Sequence, residues 1–249
     1  MNKVKTNYYG SLCTAAYEIL HPDAPEEELN FYLSFAKPDQ KILEPMCGSG
    51  RFFVPFFQKG FNICGIDYSA DMLNILKNKI SNANVEQTDV LNYNPQNKFD
   101  YIFIPSGSLS LFTDTRKCLR ILKKMKSILN ANGKFVFAVD TVNEKCVDDD
   151  YKTRASLKTS EGFDLLLKTK NHYDTKTQTL YMPSLYELYD GNKLLQNEFM
   201  DFQIHLYKFG EMEKHLKDAG FFSVRAYSSF QKTTAVDDSS DFLLFECST

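Results

Sequence analysis

Ile42-Leu43-Glu44-Pro45-Met46-Cys47-Gly48-Ser49-Gly50-Arg51 (ILEPMCGSGR) closes an apolar run and opens a helix-like segment. Gly48 and Gly50 let the backbone turn tightly and approach a ligand without Cβ clashes. Asp67 ends the next apolar run, 17 positions after Gly50. A carboxylate there is placed to accept both hydroxyl hydrogens of a ribose. The loop also departs from nucleotide-binding glycine loops, because Met46 stands where their first glycine falls.

Outward from this stretch, short apolar runs alternate with helical periodicity. Lys41 to Pro45, Asn62 to Asp67, a run ending near Glu86-Gln87, Phe99 to Ile104 and Lys134 to Asp140 read as strands. Arg51 to Lys59, Ala70 to Ser81 and Thr115 to Leu129 read as the helices between them, the last closed by Asn130-Ala131-Asn132-Gly133. Such alternation predicts βαβ units and a parallel sheet covered on both faces. Upstream, Ser11 to Lys37 carries one or two helices, one starting at Pro25-Glu26-Glu27-Glu28. From Thr141 to about Tyr207 the texture becomes alternating, with turn signals at Asp174 and Asp190-Gly191-Asn192. Phe163 to Lys170, Leu180 to Tyr189 and Lys193 to Leu206 therefore read as antiparallel hairpins outside the parallel sheet. Phe209 to Ala219 is a helix stopped by Gly220, followed by strands Phe222 to Tyr227 and Phe242 to Cys247. The expected organisation is a single domain over 1–249. It comprises a helical cap (1–38), a cofactor-binding core (39–140), an antiparallel lid (141–207) and a closing helix and strand pair (208–249).

Composition narrows the function classes. The chain has 249 residues, 43% of them hydrophobic and 24% charged, with a net charge of −3. Lys and Arg are not clustered as a phosphate-backbone partner requires. Lys117, Arg120, Lys123, Lys124 and Lys126 lie opposite the apolar stripe of their helix and read as its solvated face. The six cysteines show no paired spacing and read as free thiols in a reducing compartment, with no disulfide frame or zinc site. Asp148-Asp149-Asp150 reads as a solvated loop, and no metal is expected. The opening MNKVKTNYYG lacks the apolar core of a signal peptide, and no window approaches the roughly 18 apolar residues of a membrane span. The expectation is a cytoplasmic protein, monomer or homodimer.

Together, ILEPMCGSGR, Cys64–Leu73 (CGIDYSADML), Asp89-Val90, Phe99–Phe103 and Leu129–Phe135 (LNANGKF) resemble the ordered motifs of class I S-adenosylmethionine-dependent methyltransferases. The resemblance runs from about residue 40 to 140, with Phe222 to Cys247 similar to the family's closing strand pair. It implies an α/β fold: a seven-stranded, mostly parallel sheet of order 3-2-1-4-5-7-6, last strand antiparallel, helices on both faces, and a hairpin insertion after strand 5. It implies S-adenosylmethionine as cofactor and S-adenosylhomocysteine as product. By position, Glu44 orders the glycine loop and sits near the methionine amino group, and the backbone of Met46, Gly48 and Gly50 cradles the methionine part. Asp67 holds the ribose hydroxyls, Tyr68 and Met72 pack on the adenine, and Asp89 and Val90 meet its amino group and ring. Ser106 completes the amino-acid end. Met46 is expected to keep a negative φ, with its side chain turned away from the ligand or toward the acceptor.

A sulfonium cofactor carries no pyrophosphate, so Phe53 in the third glycine's place is tolerable here and disfavours NAD. The fourth strand ends in Ile104-Pro105-Ser106-Gly107 and not in the N-P-P-Y or D-P-P-Y of many nucleic-acid amino-methyltransferases. The expected acceptor is a small molecule with an N or O nucleophile, under a Tyr- and Phe-rich lid. Tyr8, Tyr9, Tyr17, Ser108, Tyr181 and Tyr186 are candidate acceptor contacts. Ser108, His172 and His205 are candidate proton acceptors. An RNA or protein methyltransferase and a catalytically silent S-adenosylmethionine binder are the alternatives.

Overall fold

In the computed structural model, which describes residues 6–249, two helices precede the sheet. They are α1 (Ser11–Leu20) and α2 (Glu26–Leu33). Then come β1 (Lys41–Pro45), α3 (Phe53–Gln58), β2 (Asn62–Asp67), α4 (Ala70–Lys79), β3 (Val85–Gln87), β4 (Phe99–Ile104), α5 (Thr115–Ser127) and β5 (Leu129–Asp140). The insertion contributes β6 (Lys152–Lys158), β7 (Asp164–Thr169), β8 (His172–Asp174), β9 (Thr179–Tyr181), β10 (Ser184–Asp190), β11 (Lys193–Met200) and β12 (Gln203–His205). The chain ends with α6 (Glu211–Ala219), β13 (Ser223–Tyr227) and β14 (Phe242–Ser248).

The main sheet has seven strands in the order β13-β14-β5-β4-β1-β2-β3. β1 pairs in parallel with β2 and β4, and β14 is antiparallel to both β5 and β13. This is the order expected from the sequence, with β14 as the antiparallel strand. The order reverses between β1 and β4, so the loops after their carboxyl ends diverge and leave a crevice. The apolar runs of β1, β4 and β5 are buried because both sheet faces are covered. On one face Leu43, Ile102, Ile104, Phe135 and Phe137 pack against α5 and α6. On the other, Ile42, Tyr101, Phe103 and Val136 pack against α2 and α3. Burying each such aromatic side chain contributes about 2–3 kcal/mol. Tyr101 satisfies its hydroxyl by donating to the carbonyl of Tyr32, 2.9 Å away.

Several boundaries differ from the sequence expectation. β5 starts at Leu129 and absorbs Asn130–Gly133 as an irregularity in its pairing with β4, with Asn132 at φ +62°. Asp100 holds that irregularity by accepting from Asn130 Nδ2 and from the amide of Lys41. α3 begins at Phe53 because Gly50 and its neighbours are spent in the turn. The insertion forms two antiparallel sheets, β11-β10-β7-β6 and β12-β9-β8. β6 escapes sequence reading because none of its residues is fully buried. α1 packs on the four-stranded sheet through Leu12, Cys13 and Ala16 against Leu165, Tyr186 and Met200. Among the described residues no helix is long and apolar enough to cross a membrane.

Candidate functional site

The glycine loop is built around Cys47. Its amide donates to the carbonyl of Ile66, and its sulfur occupies the space a side chain on Gly65 would need, 2.7 Å from that missing Cβ. Gly65 in the second motif is thus a seat for the loop of the first. Gly50, at φ +88°, admits Leu76, which would lie 2.3 Å from a Cβ there. Gly48, at φ +53°, donates its amide to Asp67 Oδ2 at 2.8 Å. The other carboxylate oxygen of Asp67 accepts from the Ser69 amide at 2.8 Å. A carboxylate oxygen can accept more than one hydrogen bond, and Asp67 lines the cavity. Burial pushes the Asp67 carboxyl above its ordinary range, against the backbone amides that hold the charged form.

Met46 corrects the sequence expectation. Its φ is +58°, in the left-handed region, and not negative. Pro45 fixes the chain entering the turn and Cys47 is locked into the groove beside β2, so one residue must reverse the backbone. That conformation costs a non-glycine residue about 1 kcal/mol. The Met46 side chain is half-buried and packs against the core cluster that includes Val90, Ile104 and Leu109.

These elements enclose a cavity of about 590 Å³ at the carboxyl ends of β1, β2, β3 and β4. Glu44, Met46, Gly48, Asp67, Tyr68, Met72, Asp89, Val90, Ser106 and Ser108 all line it. Gly50 does not line it, although Ser49 and Arg51 on either side do. Tyr9 and Tyr17 line it from the N-terminal side; Tyr8 does not, and its ring stands edge-on to Tyr68. Glu44 is 2% exposed, and its Oε2 has no hydrogen-bond partner. Burial, with Asp67 adding repulsion and Arg51 opposing both, raises the Glu44 carboxyl well above the carboxylate range. An orphaned buried carboxylate at a cavity wall fits a cationic or N–H-bearing occupant.

Sequence reasoning missed the polar network beside it. Arg51 Nη1 lies 3.4 Å from the Tyr17 hydroxyl, and its Nη2 lies 3.3 Å from Ser106 Oγ and 3.8 Å from Glu28 Oε2. Glu28 accepts from the Ser106 amide at 2.7 Å and holds that residue at φ +53°. Behind Gly107 stands Asp140, at the end of β5, so close that a Cβ on Gly107 would meet its Oδ2 at 2.6 Å. Burial pushes the Asp140 carboxyl up to about 7, against a hydrogen bond from Ser110. The N-terminal segment closes over the cavity. Asn7 Nδ2 donates to the carbonyls of Leu111 and Gln203, and Asn7 Oδ1 accepts from the Gln203 amide, each at 2.8 Å. Glu198 caps α1 by accepting from the amides of Leu12 and Cys13. None of these partners is near in sequence, so no spacing pattern announces them.

The candidates from the insertion do not reach the cavity. His205 is buried, with Nε2 3.1 Å from Glu211 Oε1, and Glu211 also takes Gln178 Nε2. Burial opposes ionisation of Glu211, but these bonds outweigh it and hold the carboxyl down at about 2. His172 is exposed beside Tyr181 on the three-stranded sheet, and Tyr186 packs on α1. The reason is shared: these side chains serve the packing and edges of the lid sheets, which stand beside the cavity and meet it through Gln203. Among the described residues no three potential ligands are grouped to hold a metal ion.

Comparison with known proteins agrees with this architecture. A family model described as a methyltransferase domain matches residues 42–133. The putative methyltransferase YqeM of Bacillus subtilis is 24% identical over 132 residues, covering 50% of this chain and 53% of that protein. Malonyl-[acyl-carrier protein] O-methyltransferase 1 of Ilyobacter polytropus is 31% identical over 117 residues, covering 45% of this chain and 42% of that protein. The matched region thus spans about half the length of these curated relatives. The solved structure of the sugar N-methyltransferase KedS8 from Streptoalloteichus superposes with a TM-score of 0.75 at 16% identity, covering 100% of this chain and 98% of that one. Residues 42–133 thus match a methyltransferase domain, and the sheet order of the whole chain is the Rossmann-like fold seen in solved methyltransferase structures such as KedS8.

Proposed function

We propose that this protein transfers the methyl group of S-adenosylmethionine to a nitrogen or oxygen of a small molecule. The observation that carries the reading is the orphaned Glu44 carboxylate beside an Asp67 whose two oxygens are tied to Gly48 and Ser69. Glu44 would take the amino group of the methionine arm, Asp67 the ribose hydroxyls, and Asp89 and Val90 the adenine edge, with Tyr68 and Met72 against its faces. The cofactor supplies a methyl activated by positive sulfur. What remains for the protein is to align the nucleophile with that methyl and to exclude water. Tyr9, Tyr17, Ser108 and Gln203 line the side of the cavity left for the acceptor. A small-molecule acceptor is supported by the enclosure under residues 6–9 and by the likeness to a sugar N-methyltransferase fold.

The test is calorimetric and thermal. S-adenosylhomocysteine is expected to bind and to raise the melting temperature by several degrees at about 100 times its Kd. Release of S-adenosylhomocysteine is then followed across small amines and matched alcohols. Stabilisation by NAD but not by S-adenosylhomocysteine would overturn the reading.

A further inference from the structure

We propose that the Met46 side chain is a positioning element that fixes the methionine arm of the cofactor, and that its backbone strain is kept for that purpose. The inference rests on the cofactor reading above. The turn after β1 demands a left-handed residue whatever stands there, because Cys47 is held by Ile66 and Gly65 on one side and Gly48 by Asp67 on the other. Glycine adopts that conformation without cost. The chain instead places a long thioether there, at φ +58°. A strained non-glycine residue persists when its surroundings over-determine it, and such residues gather at ligand sites.

The location of the side chain separates a function from an accident. Met46 lines the cavity while packing against the apolar cluster that includes Val90, Ile104 and Leu109. It therefore forms floor between the loop after β3, assigned to the adenine, and the loop after β4, assigned to the amino-acid end. Ser106, across the strand-order reversal, is also left-handed at φ +53° and also lines the cavity. The two strands that flank the reversal thus both end in a strained residue facing the same space. Glu28 explains Ser106 by binding its amide and hydroxyl; the Met46 side chain instead packs against the apolar core and lines the cavity. An unbranched, polarisable thioether is suited to filling an irregular floor beneath a sulfonium and its short chain.

Met46→Gly separates the two roles, since it removes strain and side chain together, whereas Met46→Ala removes the side chain alone. Melting of the unliganded protein and calorimetric binding of S-adenosylhomocysteine are measured for both and for Met46→Leu. Met46→Gly is expected to melt at or a few degrees above wild type, yet to bind about tenfold more weakly. Met46→Ala is expected to melt lower and to lose a similar factor, and Met46→Leu to stay within about threefold, as volume-conserving apolar exchanges do. Opposite movement of stability and affinity in Met46→Gly supports the proposal, because a purely structural residue moves both the same way. Wild-type affinity in Met46→Gly would overturn it while leaving the cofactor reading intact. Failure of the wild-type protein to bind S-adenosylhomocysteine would remove both.

Discussion

At the scale of single residues, Asp67 carries two duties that a substitution can separate. It ties Gly48 and Ser69 through their amides, and it faces the space assigned to the ribose. Asp67→Asn can still accept one of these hydrogen bonds but offers an N–H where the other stood, and Asp67→Ala offers neither. S-adenosylhomocysteine affinity is expected to fall about tenfold for Asn and at least a hundredfold for Ala, measured by calorimetry. Unchanged affinity in the alanine variant would remove the ribose assignment. Asp67 was legible from its place at a strand end after paired glycines. The sign of φ at Met46 was not, because it follows from how Cys47 seats on Gly65, a contact between two motifs that neither reveals alone.

At the scale of elements, the strands of the main sheet were readable because burial on both faces writes continuous apolar runs. The lid was readable only as alternation, and β6 was lost because little of it is buried. The polar framework of the site was not readable at all. It joins α2 to the loop after β4 through Glu28, and α1 to β11 through Glu198. Each link is one side chain on a backbone amide, with no periodicity to betray it. Glu198 is the informative one. It stands at the N-terminus of α1, where a carboxylate both caps the helix and meets the positive end of its dipole. Glu198→Ala is expected to lower stability by about 1–2 kcal/mol. Amide hydrogen exchange is expected to quicken across residues 7–16 while β1, β4 and β5 keep their protection. Uniform loss of protection would show instead that α1 is not a separable unit.

For the whole molecule, buried acids set the dependence of stability on pH. Glu28, Glu44, Asp67 and Asp140 all ionise less readily in the folded chain than in the unfolded one, Asp140 at about 7. A carboxyl raised in this way stabilises the fold below its unfolded value near 4 and loses that contribution as pH rises through the folded value. Glu211, held at about 2, acts in the opposite sense, and its contribution disappears as pH falls below about 4. The melting temperature is therefore expected to peak near pH 5 and to decline by about 3–6 °C toward pH 7.5. Asp140→Asn is expected to flatten that decline, which a series of thermal scans would show. The hydrogen bonds that fasten Thr6 and Asn7 to Leu111, Asp201 and Gln203 have a kinetic meaning as well. They join positions 104 to 196 residues apart, and none of their partners lies in a strand of the main sheet. They can part and re-form while the sheet stays intact, so an occupant's residence time is governed by a latch whose two halves are made almost two hundred residues apart.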